Sequence, residues 1–124
     1  MRLHRIRAGE LYDVYVLLDH RGRSSVSDEL DAARGDEKDQ CLRRIIQLAD
    51  VGPAYGGHYS LADSRAKIWY LRASKHIRIW FFVDSDRILL TNAIRKTKKA
   101  TDPQGLVRAR ALREQYYREG TGSA

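Results

Sequence analysis

One cysteine, Cys41, stands in a chain of 124 residues, which excludes an internal disulfide and any cysteine-rich zinc site. Its neighbours Leu42, Ile45 and Ile46 mark it as a buried packing residue instead. No uncharged apolar run is long enough to cross a bilayer, so no membrane partner is expected. Residues 1–7 carry three arginines but lead into Gly9, Glu10 and Asp13, not into the apolar segment of a secretion signal, and the expected location is cytoplasmic. His4, His20 and His58 lack His-x-x-x-His or carboxylate spacing, so neither a metal nor another cofactor is expected. Repeats, low-complexity blocks and linkers are absent, and the length suits one domain over residues 1–119 with a disordered Gly-Thr-Gly-Ser-Ala tail at 120–124.

Acidic residues are scarce in one half only. Residues 1–64 hold 9 basic and 11 acidic side chains, whereas residues 65–124 hold 14 basic and 5 acidic ones, so a net charge of +7 resolves into −2 and +9. A basic half on an otherwise balanced domain is the footprint of a polyanion partner, because each neutralised phosphate releases counterions. An acidic protein surface fits the same charge, and a merely well-solvated face is the plain alternative.

Hydrophobic spacing orders the elements. Tyr12–Asp19 reads as a strand buried on both faces. Ser25 with Asp28 resembles a capping box for a short helix ending at Gly35. From about Asp36, the residues Leu42, Ile45, Ile46 and Ala49 form an amphipathic stripe that Gly52-Pro53 stops. The glycine-rich stretch to Ala66 is expected to be an irregular loop. Strands follow at about Lys67–Ala73, Ile77–Val83 and Arg87–Asn92, the last two joined by a tight turn at Asp84-Ser85-Asp86. A final helix starts near Thr101 or Asp102, with Pro103 in its first turn and Leu106, Ala109, Leu112 and Tyr116 as its buried stripe. This order predicts an α+β fold, a small sandwich with a twisted, mainly antiparallel four-stranded sheet whose helices pack on one face, the other staying partly open.

Side chains alternate across a strand, so Tyr70 and Arg72 share one face, as do Arg78, Trp80 and Phe82. If Trp69, Leu71 and Ile79 pack against helices, then Tyr70, Arg72, Arg78 and Trp80 line the open face. Two arginine forks there would hold a phosphate. Trp80 and Tyr70 would stack an unpaired base. Ion pairs of Arg72 or Arg78 with Asp63 or Asp84 are the structural alternative. The basic run Arg95, Lys96, Lys98 and Lys99 would hold flanking phosphates, whereas Arg108, Arg110 and Arg113 read first as a solvated helix face.

The ordered segments Lys67-Ile68-Trp69-Tyr70-Leu71-Arg72, His76-Ile77-Arg78-Ile79-Trp80-Phe81-Phe82-Val83 and Arg95-Lys96-Thr97-Lys98-Lys99 together resemble the RelE/HigB toxins of toxin-antitoxin modules, in particular their phage-derived HigB-like branch. Two positions depart from that pattern: Tyr70 stands where many relatives carry an acidic residue, and Ala93 where they carry an aromatic. The resemblance implies a RelE-like sandwich and a type II toxin, an endoribonuclease that cuts mRNA on the ribosome without metal. It further implies 2′-hydroxyl transesterification, with Arg72 and Arg78 stabilising charge and His76 or Tyr70 moving protons. Arg95, Lys96, Lys98, Lys99 and Trp80 would bind RNA. The implied partner is an antitoxin that is a small DNA-binding protein. The alternatives are a non-catalytic protein of this fold that binds gyrase, RNA or a protein partner.

Overall fold

The computed structural model describes residues 1–53, 57–96 and 103–119. In chain order the elements are β1 (Arg2–Ala8), β2 (Asp13–Leu18), α1 (Ser25–Ala32), α2 (Gly35–Val51), β3 (Tyr59–Asp63), β4 (Ile68–Arg72), β5 (Ile77–Asp84), β6 (Arg87–Arg95) and α3 (Pro103–Arg118). The strands form one mixed sheet in the order β1-β2-β6-β5-β4-β3. β2 and β6 run parallel, and every other neighbouring pair is antiparallel.

The α+β class and the antiparallel run of β4, β5 and β6 agree with the expectation, but the sheet has six strands instead of four. β1 carries only Leu3 and Ile6 as large aliphatic residues, and they pack into cores on opposite sides of the sheet. One such residue per face leaves no period for sequence reading to detect. β3 lies where an irregular loop was expected. Its Tyr59 faces one core while Ser60 and Ala62 face the other side, a short alternation hidden next to a glycine-rich stretch.

Helices also cover both faces, not one. Val26 and Leu30 of α1 and Cys41, Ile45, Leu48 and Ala49 of α2 close the larger core over Leu71, Ile79, Phe81, Ile88 and Leu90. α3 lies on the opposite side, where Ala109 meets Ile68 and Trp80, and Leu112 and Tyr116 meet Leu17, Phe82 and Leu89. The alternation of β5 is therefore real, but both of its faces are apolar, as suits a strand buried on two sides. Leu42, placed in the buried stripe of α2 by its spacing, is 43% exposed, and Cys41 and Leu48 take the inner positions.

Local signals set the element ends. The cap of α1 is Ser24, whose Oγ accepts from the Val26 amide at 3.1 Å. Ser25 instead accepts from the Ala93 amide at 2.9 Å, which fastens the helix to β6. α2 ends at Gly52, whose φ of +77° favours glycine and whose amide donates to the Leu48 carbonyl at 2.9 Å. The two-residue turn of β5 and β6 carries Ser85 at φ +57°. Thr101 and Asp102, the expected caps of α3, lie outside the described residues.

α3 is held by its ends. Near its C-terminus the buried Tyr116 hydroxyl donates to Asp84 Oδ2 at 2.6 Å and accepts from Arg87 Nη2 at 2.6 Å, satisfying a polar group in an apolar layer. Burial, then the Asp84 carboxylate, pushes its phenol well above the ordinary tyrosine range. Near its N-terminus, Gly105 rests on the ring of Trp80, with no room for a Cβ between them. A bulge in the β5–β6 register at Trp80/Phe81 accompanies Asn92, whose Nδ2 donates to the Gly105 carbonyl at 3.0 Å.

Helix propensity alone favours Gly105→Ala by up to about 1 kcal/mol. The contact with Trp80 reverses that sign, because a rigid indole cannot yield to an added methyl. Denaturant unfolding of Gly105→Ala should show a loss on the order of 1–3 kcal/mol; a gain would mean that α3 does not sit on Trp80. Tyr116→Phe should cost about 1–2 kcal/mol through its two lost hydrogen bonds, measured the same way.

Candidate active site

The pairing of β4 with β5 sets Tyr70 opposite Trp80 and Arg72 opposite Arg78. α3 packs over β5 and β6, and beside its first turn a pocket of about 450 Å³ opens onto β3 and β4. Ser60 and Ala62 of β3, Tyr70 and Arg72 of β4, Trp80 of β5, Lys96, and Pro103 and Leu106 of α3 line it. Two cations, two hydroxyls and an apolar wall thus converge, with no carboxylate in the lining among the described residues. Such a set attracts and hydrogen-bonds an anion that also carries a flat apolar part.

Arg72 is held by neutral acceptors. Its Nε donates to the Gly57 carbonyl at 3.0 Å and its Nη1 to Ser60 Oγ at 3.1 Å. Its own amide donates to the His58 carbonyl at 2.8 Å, and its carbonyl accepts from Arg44 Nη1 at 2.5 Å. The carboxylates once considered as its partners are engaged elsewhere. Asp63 takes Arg110 Nε at 2.6 Å and the Arg65 and Ala66 amides, bonds that hold its carboxyl below the ordinary aspartate range. Asp84 is occupied with Tyr116 and Arg87. Among the described residues, neither Arg72 nor Arg78 forms an ion pair.

The other predicted site residues divide. Arg78 faces Arg72 in register, but its Nη1 donates to the Ser74 carbonyl at 2.6 Å and the Ile77 carbonyl at 3.3 Å, and it does not line the pocket. His76 is exposed outside the pocket, with Nδ1 3.4 Å from the Lys96 carbonyl. Trp80, expected on an open face as a stacking surface, is 3% exposed because α3 covers it. It forms part of the pocket's apolar lining and packs edge-on to Tyr70, 5.1 Å between ring centroids. Arg95 is engaged by carboxylates: Nη1 and Nη2 reach Glu37 at 3.2 and 2.9 Å, and Nε lies 3.4 Å from Glu29. Of the described residues of the basic run, Lys96 lines the pocket; Lys98 and Lys99 lie outside the described residues. Ala93, where an aromatic was the family pattern, is buried beside the first turn of α1.

Sequence reading missed Ser60, Arg44 and His58. Ser60 was hidden because β3 was not recognised, and Arg44 because it belongs to a helix. His58 lies in the stretch expected to be an irregular loop, where its spacing gives it no specific role. Its imidazole is held below the ordinary histidine pKa, first by burial and then by the charges of Arg44 and Arg72.

The pocket is basic, lies on the edge half of the mixed sheet and has α3 as its wall. The family described as Phage derived protein Gp49-like matches residues 28–114, a span that contains every residue lining the pocket. The chain belongs to this phage-derived Gp49-like family, a RelE-like family associated with toxin-antitoxin modules. No curated protein matches the chain.

The geometry separates two neighbours in the basic run. Arg95→Gln should lower stability by roughly 0.5–1 kcal/mol, the upper part of the range for exposed pairs, because it breaks a forked contact and a second carboxylate contact. Lys96→Gln should stay within about 0.5 kcal/mol of the parent. The Arg95 side chain depresses the Glu37 pKa from its usual 4.5. The associated stability is therefore fully present above that value and is lost as pH falls through the lowered one. Thermal melts of the parent and Arg95→Gln should converge on acidification below about pH 4.5; a constant gap down to pH 2 would contradict the pairing.

Proposed function

We propose that the chain is the toxin of a type II toxin-antitoxin module and cuts mRNA on the ribosome by attack of the ribose 2′-hydroxyl on the adjacent phosphorus. The observation that carries this reading is the pocket in which Arg72 and Lys96 converge with the Tyr70 and Ser60 hydroxyls. A phosphodiester brings the anion for Arg72 and Lys96, and its base meets the wall of Ala62, Trp80 and Leu106. The two cations stabilise charge as the phosphorane forms. Tyr70 orients the 2′-hydroxyl and takes part in its deprotonation, a role for which it lies nearer the pocket than His76 does. As the 2′-oxygen–phosphorus bond forms and the bond to the 5′-oxygen breaks, the proton released from the 2′-hydroxyl is returned through solvent to the leaving 5′-oxygen, so the products are a 2′,3′-cyclic phosphate and a 5′-hydroxyl. The family's toxin-antitoxin association supports a separate antitoxin as partner, which we take to be a small DNA-binding protein.

Cleavage of an mRNA in a translating extract tests the reading. Arg72→Ala should lower the rate by about 10²–10³-fold, the usual loss when one charge-stabilising donor is removed. RNA with a 2′-O-methyl group at the cut site should resist, and chelators that spare magnesium should leave the rate unchanged. Products with 5′-phosphate ends would require water as nucleophile and rule the mechanism out. Binding of RNA without cleavage, with or without ribosomes, would favour a binding module over an enzyme.

A further inference from the structure

Arg44 is the joint between the pocket above and a second cleft on the other side of Arg72. On α2, Gln40, Arg43, Arg44 and Gln47 recur at the spacing of one helical stripe, and with His58 they line a cleft of about 290 Å³. Every one of these side chains carries a hydrogen-bond donor, and among the described residues no carboxylate lines the cleft. Arg44 Nη1 is anchored on the carbonyl of Arg72, and His58 accepts the Arg72 amide through its own carbonyl. The second cleft is thus fastened to the main chain of the residue whose side chain lines the first.

We propose that this α2 cleft is a second phosphate subsite, which takes a flanking phosphate of the same RNA strand held at Arg72. It rests on the reading of the first pocket as an RNA site. Two guanidiniums, Arg43 and Arg44, share this cleft: burial lowers the Arg44 pKa, Cys41 opposes that, and the charges of Arg78 and Arg43 lower it further. A phosphate relieves that repulsion, and the guanidiniums bind it in forked geometry. His58, kept toward its neutral form by burial and by Arg44 and Arg72, adds a hydrogen bond without adding to the crowding. The next cleft along α2 shares Gln40 and Arg43 with this one and carries Asp36 and Glu37 beside Lys75. Those carboxylates repel a polyanion and set the limit of the track. An acidic peptide would meet the same charges, but a chain of evenly spaced phosphates suits two basic clefts linked through Arg44 and the Arg72 main chain better.

The test uses fully 2′-O-methylated RNA oligonucleotides, which cannot be cut, of two and of eight nucleotides, with fluorescence anisotropy across a salt series. Arg43 is exposed, so Arg43→Gln removes charge without breaking the core. It should weaken the eight-nucleotide probe at least about threefold and reduce the slope of log affinity against log salt by about 0.7, the value of one phosphate contact on a single strand. Binding of the two-nucleotide probe should be unchanged, and Arg43→Lys should restore the slope. His58→Gln should weaken only the longer probe. If Arg43→Gln leaves the longer probe's affinity and slope intact while Arg72→Ala lowers both, the second subsite is wrong and the first stands. Failure of the parent protein to bind either probe overturns both. Equal competition by poly-glutamate for the longer probe, lost in Arg43→Gln, would assign the cleft to an acidic peptide and overturn the proposal.

Discussion

The contact between Gly105 and Trp80 fixes where α3 lies, and the pocket depends on it. A side chain at position 105 would lift the helix off β5; its absence lets the backbone settle on the indole, and Asn92 then reaches the Gly105 carbonyl. With this end seated and Tyr116 fixed between Asp84 and Arg87, the helix has little freedom to slide along the sheet. Pro103 and Leu106 therefore form a wall at a set distance from Tyr70 and Arg72. A functional site framed by packed elements holds its geometry better than one placed on loops.

Arginine is used in two ways across the molecule. Arg87, Arg95 and Arg110 meet carboxylates and bind one element to another. Arg44, Arg72 and Arg78 meet carbonyls and a hydroxyl. Neutral acceptors orient a guanidinium without cancelling its charge, so this second group keeps its attraction for an anion while its direction is set. Charge counting along a chain does not separate the groups. A candidate cation in a basic run can be structural, as Arg95 is, and the folded arrangement of acids decides whether it is.

The sequence made the central antiparallel strands legible because β4, β5 and β6 are dense in β-branched and aromatic residues. The facing of Arg72 and Arg78 followed from alternation and is present in the register. What alternation does not encode is where a long side chain turns, and Arg78 turns to the Ser74 carbonyl. The covered second face was missed for a related reason. Trp80 and Phe82 share a face with Arg78, and a mixed polar and aromatic stripe reads equally well as a ligand surface or as the seat of a helix. Gly105 in the stripe of α3 was the available signal, since a glycine opposite a large aromatic marks close approach. β1 and β3 were illegible because single inward residues do not make a pattern.

The parallel pairing of β2 with β6 joins residues 13–16 to residues 87–90. Between them the chain must complete two helices and three strands before the partner of β2 exists. Both central neighbours thus depend on contacts distant in sequence, and loop-closure entropy must be overcome before those contacts return any stability. During synthesis, β1 and β2 emerge as an isolated two-stranded unit, which is marginal in water. The sheet closes only when β6 is available, and only then can α3 find Trp80 and Leu89 on one surface. A chain that stops before α3 lacks Pro103 and Leu106, and with them one wall of the pocket.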